Sequence, residues 1–529
     1  MERKWKWDEI TGVFLFALGA GMLLVSVFLS FSSDIWYDEL YTMGLACQPL
    51  GRLVSITARD VHPPLYYIIV KIFLQFFGLA GGEGQTAAAK IASVVPFFLC
   101  LFYSGWKVRK YFGWLPAGLF AFLLPAMPKL ADYTVEVRMY GYALFFVTAA
   151  MLHAYGLARG SGRGQWGNWA ALALYALGAC YTHYFACVAA CMVYLYLLVA
   201  LLAEGRLKEK AGRFLGSGFC CALGFMPWLF SAVRAQVGQV KESYWIQPLS
   251  WRSLGGCAKF IFQPSFSNGK VNAFLALAFF LVWGALLAGA LARQKKAGWE
   301  GEKGRKMIFI LGCVGALAGV VGFGFLASFL IRPVFVYRYM IPALGLFWLA
   351  FAILAAGLKA KKGFFLPLLG LLLVIGLRNF RAFYGEEMWK RVQMASAREA
   401  LSQIGEEEAV VCNFNQVQGV LAYYLENESY LWYGKPESLA REMYPALHPL
   451  VEGEFTDGAG IAALLGLLEE KGHFWFLGSG NARDEIMEKW EMAGIESEEK
   501  ATIMIERYWF NIYYCRLKTE NSNSIKISE

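Results

Sequence analysis

Charge is what this sequence has least of: 17% of its 529 residues are Asp, Glu, Lys or Arg, against 58% hydrophobic ones, and the mean hydropathy is +0.44. That scarcity excludes an ordinary soluble globular protein. Eleven cysteines are present, but CxxC pairs and Cys/His clusters of zinc-finger spacing are lacking, so neither a disulfide framework nor a structural zinc is expected. A small-residue cleavage pattern is also missing after the first apolar run, which therefore reads as a retained anchor rather than a signal peptide. No internal repeat of the kind that marks many secondary transporters is visible.

What is present is a series of apolar runs divided by basic clusters. The net charge of +9 resolves into two parts: residues 1–378 hold 35 Lys and Arg against 15 Asp and Glu, whereas residues 379–529 hold 14 against 25. The basic residues sit between apolar runs instead of forming one face, which argues against a nucleic-acid partner. A bilayer core needs about 20 apolar residues per helix. Candidate spans are roughly 11–31, 90–106, 113–130, 140–158, 168–186, 187–203, 214–232, 271–292, 307–331, 339–358 and 363–377. A twelfth run, 64–80, carries Lys71 in its middle. With the N-terminus cytoplasmic and 64–80 lying along the outer interface, every basic cluster (107–110, 159–163, 206–213, 293–306 and 359–362) falls on the cytoplasmic side.

The expected fold is thus an α-helical polytopic membrane protein with about eleven spans over 1–378, an outer loop at 31–89 and a small extracytoplasmic α/β domain at 379–529. In the tail, helical spacing marks 394–405, 416–425, 461–472 and 483–495. Runs of β-branched and aromatic residues mark strands at 409–414, 429–434, 473–478 and 505–517, and the polar end 521–529 reads as disordered.

Acids on the predicted outer side of the first segment are few: Asp34, Asp38, Glu39, Asp60, Glu83, Asp132, Glu136 and Glu242. In DIWYDELY, Asp34 and Asp38 stand one helical turn apart with Glu39 beside the second. Carboxylates at such a depth are costly unless used or paired, so they serve in chemistry, or cap a helix and pair with Arg52 or Arg59. RDVHPPLYY follows, where two prolines restrain His62 at the start of the interfacial helix. Glu136, Arg138 and Tyr140 in YTVEVRMYGY, His183 in YTHYF, and Arg332, Arg338 and Tyr339 in RPVFVYRYM complete the outer constellations. Guanidinium groups without an acid nearby in sequence suit an anionic phosphate, although snorkelling arginines and belt tyrosines have the same composition.

The order Asp38-Glu39, Asp60-Val61-His62-Pro63-Pro64-Leu65, Glu136-x-Arg138-Met139-Tyr140, Thr182-His183-Tyr184 and Arg338-Tyr339 resembles the family 39 type glycosyltransferases of the GT-C fold. These include protein O-mannosyltransferases and the bacterial aminoarabinose transferases that modify lipid A. The resemblance spans roughly residues 10–350. It implies a bacterial plasma-membrane enzyme that moves a sugar, with inversion, from a polyprenyl-phosphate donor to an acceptor glycan, lipid or protein on the outer face. It further implies Asp38 as the base with Glu39 as its neighbour, and His62, Arg138 and Arg338 on the phosphate side. Asp34, Asp60, Glu136, Tyr140, His183, Arg332 and Tyr339 join the substrate-binding set. A divalent metal is compatible with the acids but not required by them.

The sequence departs from close relatives at two points. His62 stands where aminoarabinose transferases carry a lysine, and the large outer insertion of eukaryotic mannosyltransferases is absent. Neither specific substrate is therefore carried over. A transporter or flippase of a lipid-linked sugar is the competing class. Such a protein would bury acids near mid-membrane, whereas these acids collect at the outer interface.

Overall fold

The computed structural model describes residues 6–31, 35–77, 82–160, 165–234, 236–237, 246–413, 421, 425, 430–432, 442–443, 456–505 and 508–518. The chain forms two compact units. One comprises Met1–Phe31, Pro49–Phe76 and Ala88–Glu386, the other Ser32–Gln48, Phe77–Ala87 and Glu387–Glu529. The expected polar end 521–529 lies outside the described residues.

The first unit is helical, as hydropathy requires. Nine helices among the described residues are long and apolar enough to cross a membrane: Trp7–Leu29, Gly84–Phe112, Tyr140–Arg159, Tyr184–Ala203, Leu207–Val233, Gly269–Ala297, Gly301–Leu330, Tyr337–Ala356 and Lys362–Leu401, the last running on into the second unit. These match nine of the eleven expected spans. The other two form shorter helices, Trp114–Ala126 and Trp166–Thr182. Thirteen residues rise only about 20 Å, less than a hydrocarbon core of about 30 Å. Trp114–Ala126 needs no lipid-facing length, because it is buried in protein from Leu115 onward. The run 64–80 yields a short helix, Leu65–Phe77.

Close backbone contact locks the first helix to Trp114–Ala126. A Cβ added at Gly118 would lie 1.8 Å from the Gly12 carbonyl oxygen, and one at Gly19 would lie 2.4 Å from that of Ala121. Small residues replace hydrophobic driving force where lipid is as apolar as leucine.

Side-chain contacts sort many of the helix ends. Lys359 bonds Asp8, Lys362 lies over Trp7, Arg109 over Trp114 and Lys306 over Phe112. Arg159 pairs with Glu302 at 3.3 Å, Arg305 with Glu204 at 3.3 Å, and Arg206 donates to the Ala158 carbonyl at 3.1 Å. The described members of the basic clusters thus gather at one end of this unit. Tyr140–Arg159 and Tyr337–Ala356 are its most enclosed spans, 94% and 100% buried over their apolar windows. Both run between that basic end and the residues described below.

In the second unit, strands β1 (Val410–Cys412), β2 (Tyr430–Trp432), β3 (His473–Gly478), β4 (Ile495–Ile505) and β5 (Tyr508–Leu517) form a sheet of order β2-β1-β3-β5-β4. The pairs β1-β2 and β1-β3 are parallel, while β5 pairs antiparallel with β3 and β4. Helices Gly458–Lys471 and Gly480–Met492 cover a core containing Phe474, Phe476, Trp490 and Tyr513. Four expected strands and the helices at 461–472 and 483–495 form close to their expected positions. The stretch 394–405 continues the long helix to Leu401, and most of 416–425 lies outside the described residues. Strand β4 went unread because IESEEK carries the polar pattern of a loop; it is an edge strand whose acids face water.

We expect Gly118→Leu to remove most of the folded protein recovered in detergent, since neither backbone can yield, at a cost above the usual 1–3 kcal/mol (roughly) of overpacking. Gly21→Leu, which meets nothing within 4 Å, is the matched control. Equal recovery of both variants by size-exclusion chromatography would contradict this contact.

Candidate active site

The start of four helices in the first unit brings the predicted residues together. Pro64 opens Leu65–Phe77, accepting the Ile68 N–H at 3.1 Å, so His62 stands just before that helix. Arg138 and Tyr140 stand at the start of Tyr140–Arg159, His183 is the N-cap of Tyr184–Ala203, and the turn Tyr337–Met340 leads into Ile341–Ala356. Their rings are neighbours. His183 lies 5.6 Å from His62, 5.5 Å from Tyr140 and 4.9 Å from Tyr339, centroid to centroid. Each helix start carries a partial positive charge, which favours an anion.

His183 is 2% exposed, and its Nδ1 accepts the Phe185 N–H at 3.1 Å. Burial holds its pKa well below the ordinary 6.5, and positive charge on His62, Arg138 and Arg338 lowers it further. Those three predicted phosphate-side residues therefore all lie within electrostatic reach of one imidazole. His62 itself has a carboxylate beside it, Asp60, at 3.7 Å from Nδ1. Glu136 ends the short helix Asp132–Val135. Next to it, the Tyr133 hydroxyl is raised well above its usual value by burial, then by Glu136 and Tyr140, with Arg338 opposing. Arg332 is half-buried in the segment between helix Gly301–Leu330 and the turn Tyr337–Met340 that carries Arg338 and Tyr339.

Asp38 and Glu39 belong to the second unit, whereas Asp60 lies with His62 in the first. Asp38 and Glu39 lie in the first turn of helix Tyr37–Cys47, where Glu39, 3% exposed, accepts the Trp36 N–H at 3.0 Å. Glu39 thus does the capping work that was one of its two expected roles, while Asp38 is half-buried beside it. Asp34 lies outside the described residues, as does Glu242.

A polar strut escaped the sequence reading. The Tyr184 hydroxyl donates to Gln236 Oε1, Gln236 Nε2 donates to the Thr57 carbonyl at 2.8 Å, and Trp228 Nε1 donates to the Tyr184 hydroxyl at 3.0 Å. It ties the turn of His183 to the segment leading to Asp60 and His62. Thr57 and Gln236 are 179 positions apart, and a lone glutamine after an apolar helix gives no signal. Among the described residues, no group of three or more His, Cys, Asp or Glu is arranged to hold a metal ion.

No known protein family's sequence profile matches the chain, and no curated protein matches it in sequence. Solved structures do. ArnT from Cupriavidus metallidurans in the apo state is similar with a TM-score of 0.58 at 14% identity, covering 94% of this chain and 97% of that one. The same protein bound to undecaprenyl phosphate gives 0.55 at 14% identity over the same shares. The archaeal oligosaccharyltransferase AglB from Archaeoglobus fulgidus, in complex with an inhibitory peptide and a dolichol-phosphate, gives 0.41 at 12% identity, covering 87% of this chain and 69% of that one. The fold is the GT-C fold: a polytopic helical membrane body with a small C-terminal sheet domain.

A lowered folded-state pKa means that the unfolded chain takes up a proton at His183 where the folded chain does not. Folding stability is therefore whole above pH 6.5 and lost as pH falls below it, approaching about 1.4 kcal/mol per pH unit. His183→Gln cannot take up that proton, so its thermal unfolding curve in detergent should lose less stability than wild type from about pH 7 to about pH 5. Identical acid slopes would exclude a buried neutral His183.

Proposed function

We propose that this protein is a membrane glycosyltransferase that moves a sugar from a polyprenyl-phosphate donor to an acceptor on the outer face of a bacterial plasma membrane, with inversion. The observation that carries the reading is the meeting of His62, Arg138, His183 and Arg338 at four helix starts. Such a place suits a lipid-borne phosphate, and the similar structure of ArnT was solved with undecaprenyl phosphate bound. Asp60, Glu136, Tyr140, Arg332 and Tyr339, with Asp34, complete the substrate-binding set in this proposal.

An inverting displacement needs a carboxylate to take the acceptor proton and donors to hold the departing phosphate. Asp38 is the proposed base. Glu39, fixed by its bond to the Trp36 N–H, holds the start of the helix on which Asp38 sits. Arg138 and Arg338 supply fixed positive charge for the phosphate, and His62 is held by Asp60. The gathering of the basic clusters at one end of the first unit supports a cytoplasmic placement of that end by the positive-inside rule, with the N-terminus there and the C-terminal domain outside.

Two measurements test this. Asp38→Asn should lower sugar transfer from a polyprenyl-phosphate sugar in membranes by about 10²–10⁴-fold while expression holds; undiminished transfer would remove Asp38 as base. Cysteines introduced in the 298–300 connection and in the tail domain should label with a membrane-impermeant maleimide from opposite sides. Labelling of both from one side would defeat the topology.

A further inference from the structure

We infer that His183 is a fixed neutral hydrogen-bond donor, presenting Nε2–H to an anionic phosphoryl oxygen, and that it holds this form without exchanging protons during turnover. The inference rests on the phosphate-binding reading above and adds the chemical form of one ring.

The geometry sets the tautomer. The Phe185 amide donates to His183 Nδ1 at 3.1 Å, so Nδ1 carries a lone pair and cannot carry a hydrogen. In a neutral imidazole the remaining hydrogen must then sit on Nε2. A cationic imidazole would set an Nδ1–H against the Phe185 N–H and forfeit the N-cap of Tyr184–Ala203. The charged groups acting on the ring are His62 from the segment before Leu65–Phe77, Arg138 from the segment before Tyr140–Arg159 and Arg338 from the turn Tyr337–Met340. All three disfavour protonation of His183. The other titratable rings against it are Tyr140 and Tyr339.

The two imidazoles of the cluster therefore differ. His62 has Asp60 at 3.7 Å from Nδ1, whereas His183 is tied to a backbone amide. One ring can bring charge to a phosphate, and the other brings a donor at constant charge. A donor that needs no proton uptake works at any pH at which the phosphate is anionic.

Asparagine and glutamine separate the two nitrogens of histidine, because the Asn amide reaches the Nδ1 position and the Gln amide the Nε2 position. Purified full-length chain in lipid nanodiscs would be titrated with undecaprenyl phosphate and, separately, with inorganic phosphate, and thermal stability recorded for each variant. His183→Asn keeps the cap and should be the most stable variant. His183→Gln keeps the donor and should bind undecaprenyl phosphate within a few fold of wild type, with the same pH dependence of affinity. His183→Asn and His183→Ala should bind on the order of tenfold or more weakly. The opposite ranks for stability and affinity separate a folding defect from a lost donor. Asn binding as well as Gln, or a changed pH dependence in Gln, would overturn the inference while leaving the lipid-phosphate reading intact. Wild type that binds inorganic phosphate alone would retain the donor but reject the lipid carrier. Wild type that binds neither would overturn both.

Discussion

Within a hydrocarbon layer no water is available to peptide groups, so every backbone N–H and C=O must be bonded inside the protein. That constraint makes the first unit a set of helices and leaves its chemistry to the helix ends. The ends then divide by the residues they carry. Basic clusters gather with their partners Asp8, Glu204 and Glu302 at one end, while His62, Arg138, His183 and Arg338 meet at four helix starts elsewhere in the same unit. The two most enclosed spans link these places, so the candidate site stands on the most enclosed part of the packing.

Hydrogen bonds tie the segments of His183 and His62 together. His183 closes the start of its helix, Tyr184 next to it bonds Gln236, and Gln236 reaches back to Thr57 ahead of Asp60 and His62. Two segments that bear imidazoles are thus joined through neutral amide and hydroxyl groups, which keep their bonds whether or not His62 is charged.

Much of this was legible in the sequence because apolar length and basic residues are local signals. Nine spans stand near their expected positions, and the motif residues His62, Arg138, Tyr140, His183, Arg338 and Tyr339 do meet. What was not legible depended on partners distant along the chain. Trp114–Ala126 read as a full span because hydropathy cannot see that its neighbours are protein, packed through Gly12 and Gly118. Gln236 offered no pattern, and β4 hid its strand under acids because an edge strand faces water. The capping bond of Glu39 was open as one of two roles, since a carboxylate three residues past a helix start serves either purpose.

The likeness to ArnT at 14% identity shows how much of such a fold is independent of side-chain identity. A helix start presents its N–H groups and partial positive charge wherever the backbone turns into a helix, whatever residue occupies the position. Four such starts meeting in one place are consequently set by topology and by close helix packing, such as that of Gly345 on Thr148 between two of these helices. Side chains then adjust what the backbone already favours. Histidine at position 62 stands with Asp60 3.7 Å from its Nδ1. His183 adds direction without charge. The division is physically economical: topology brings the helix starts together, and a few residues set the charge and geometry found there.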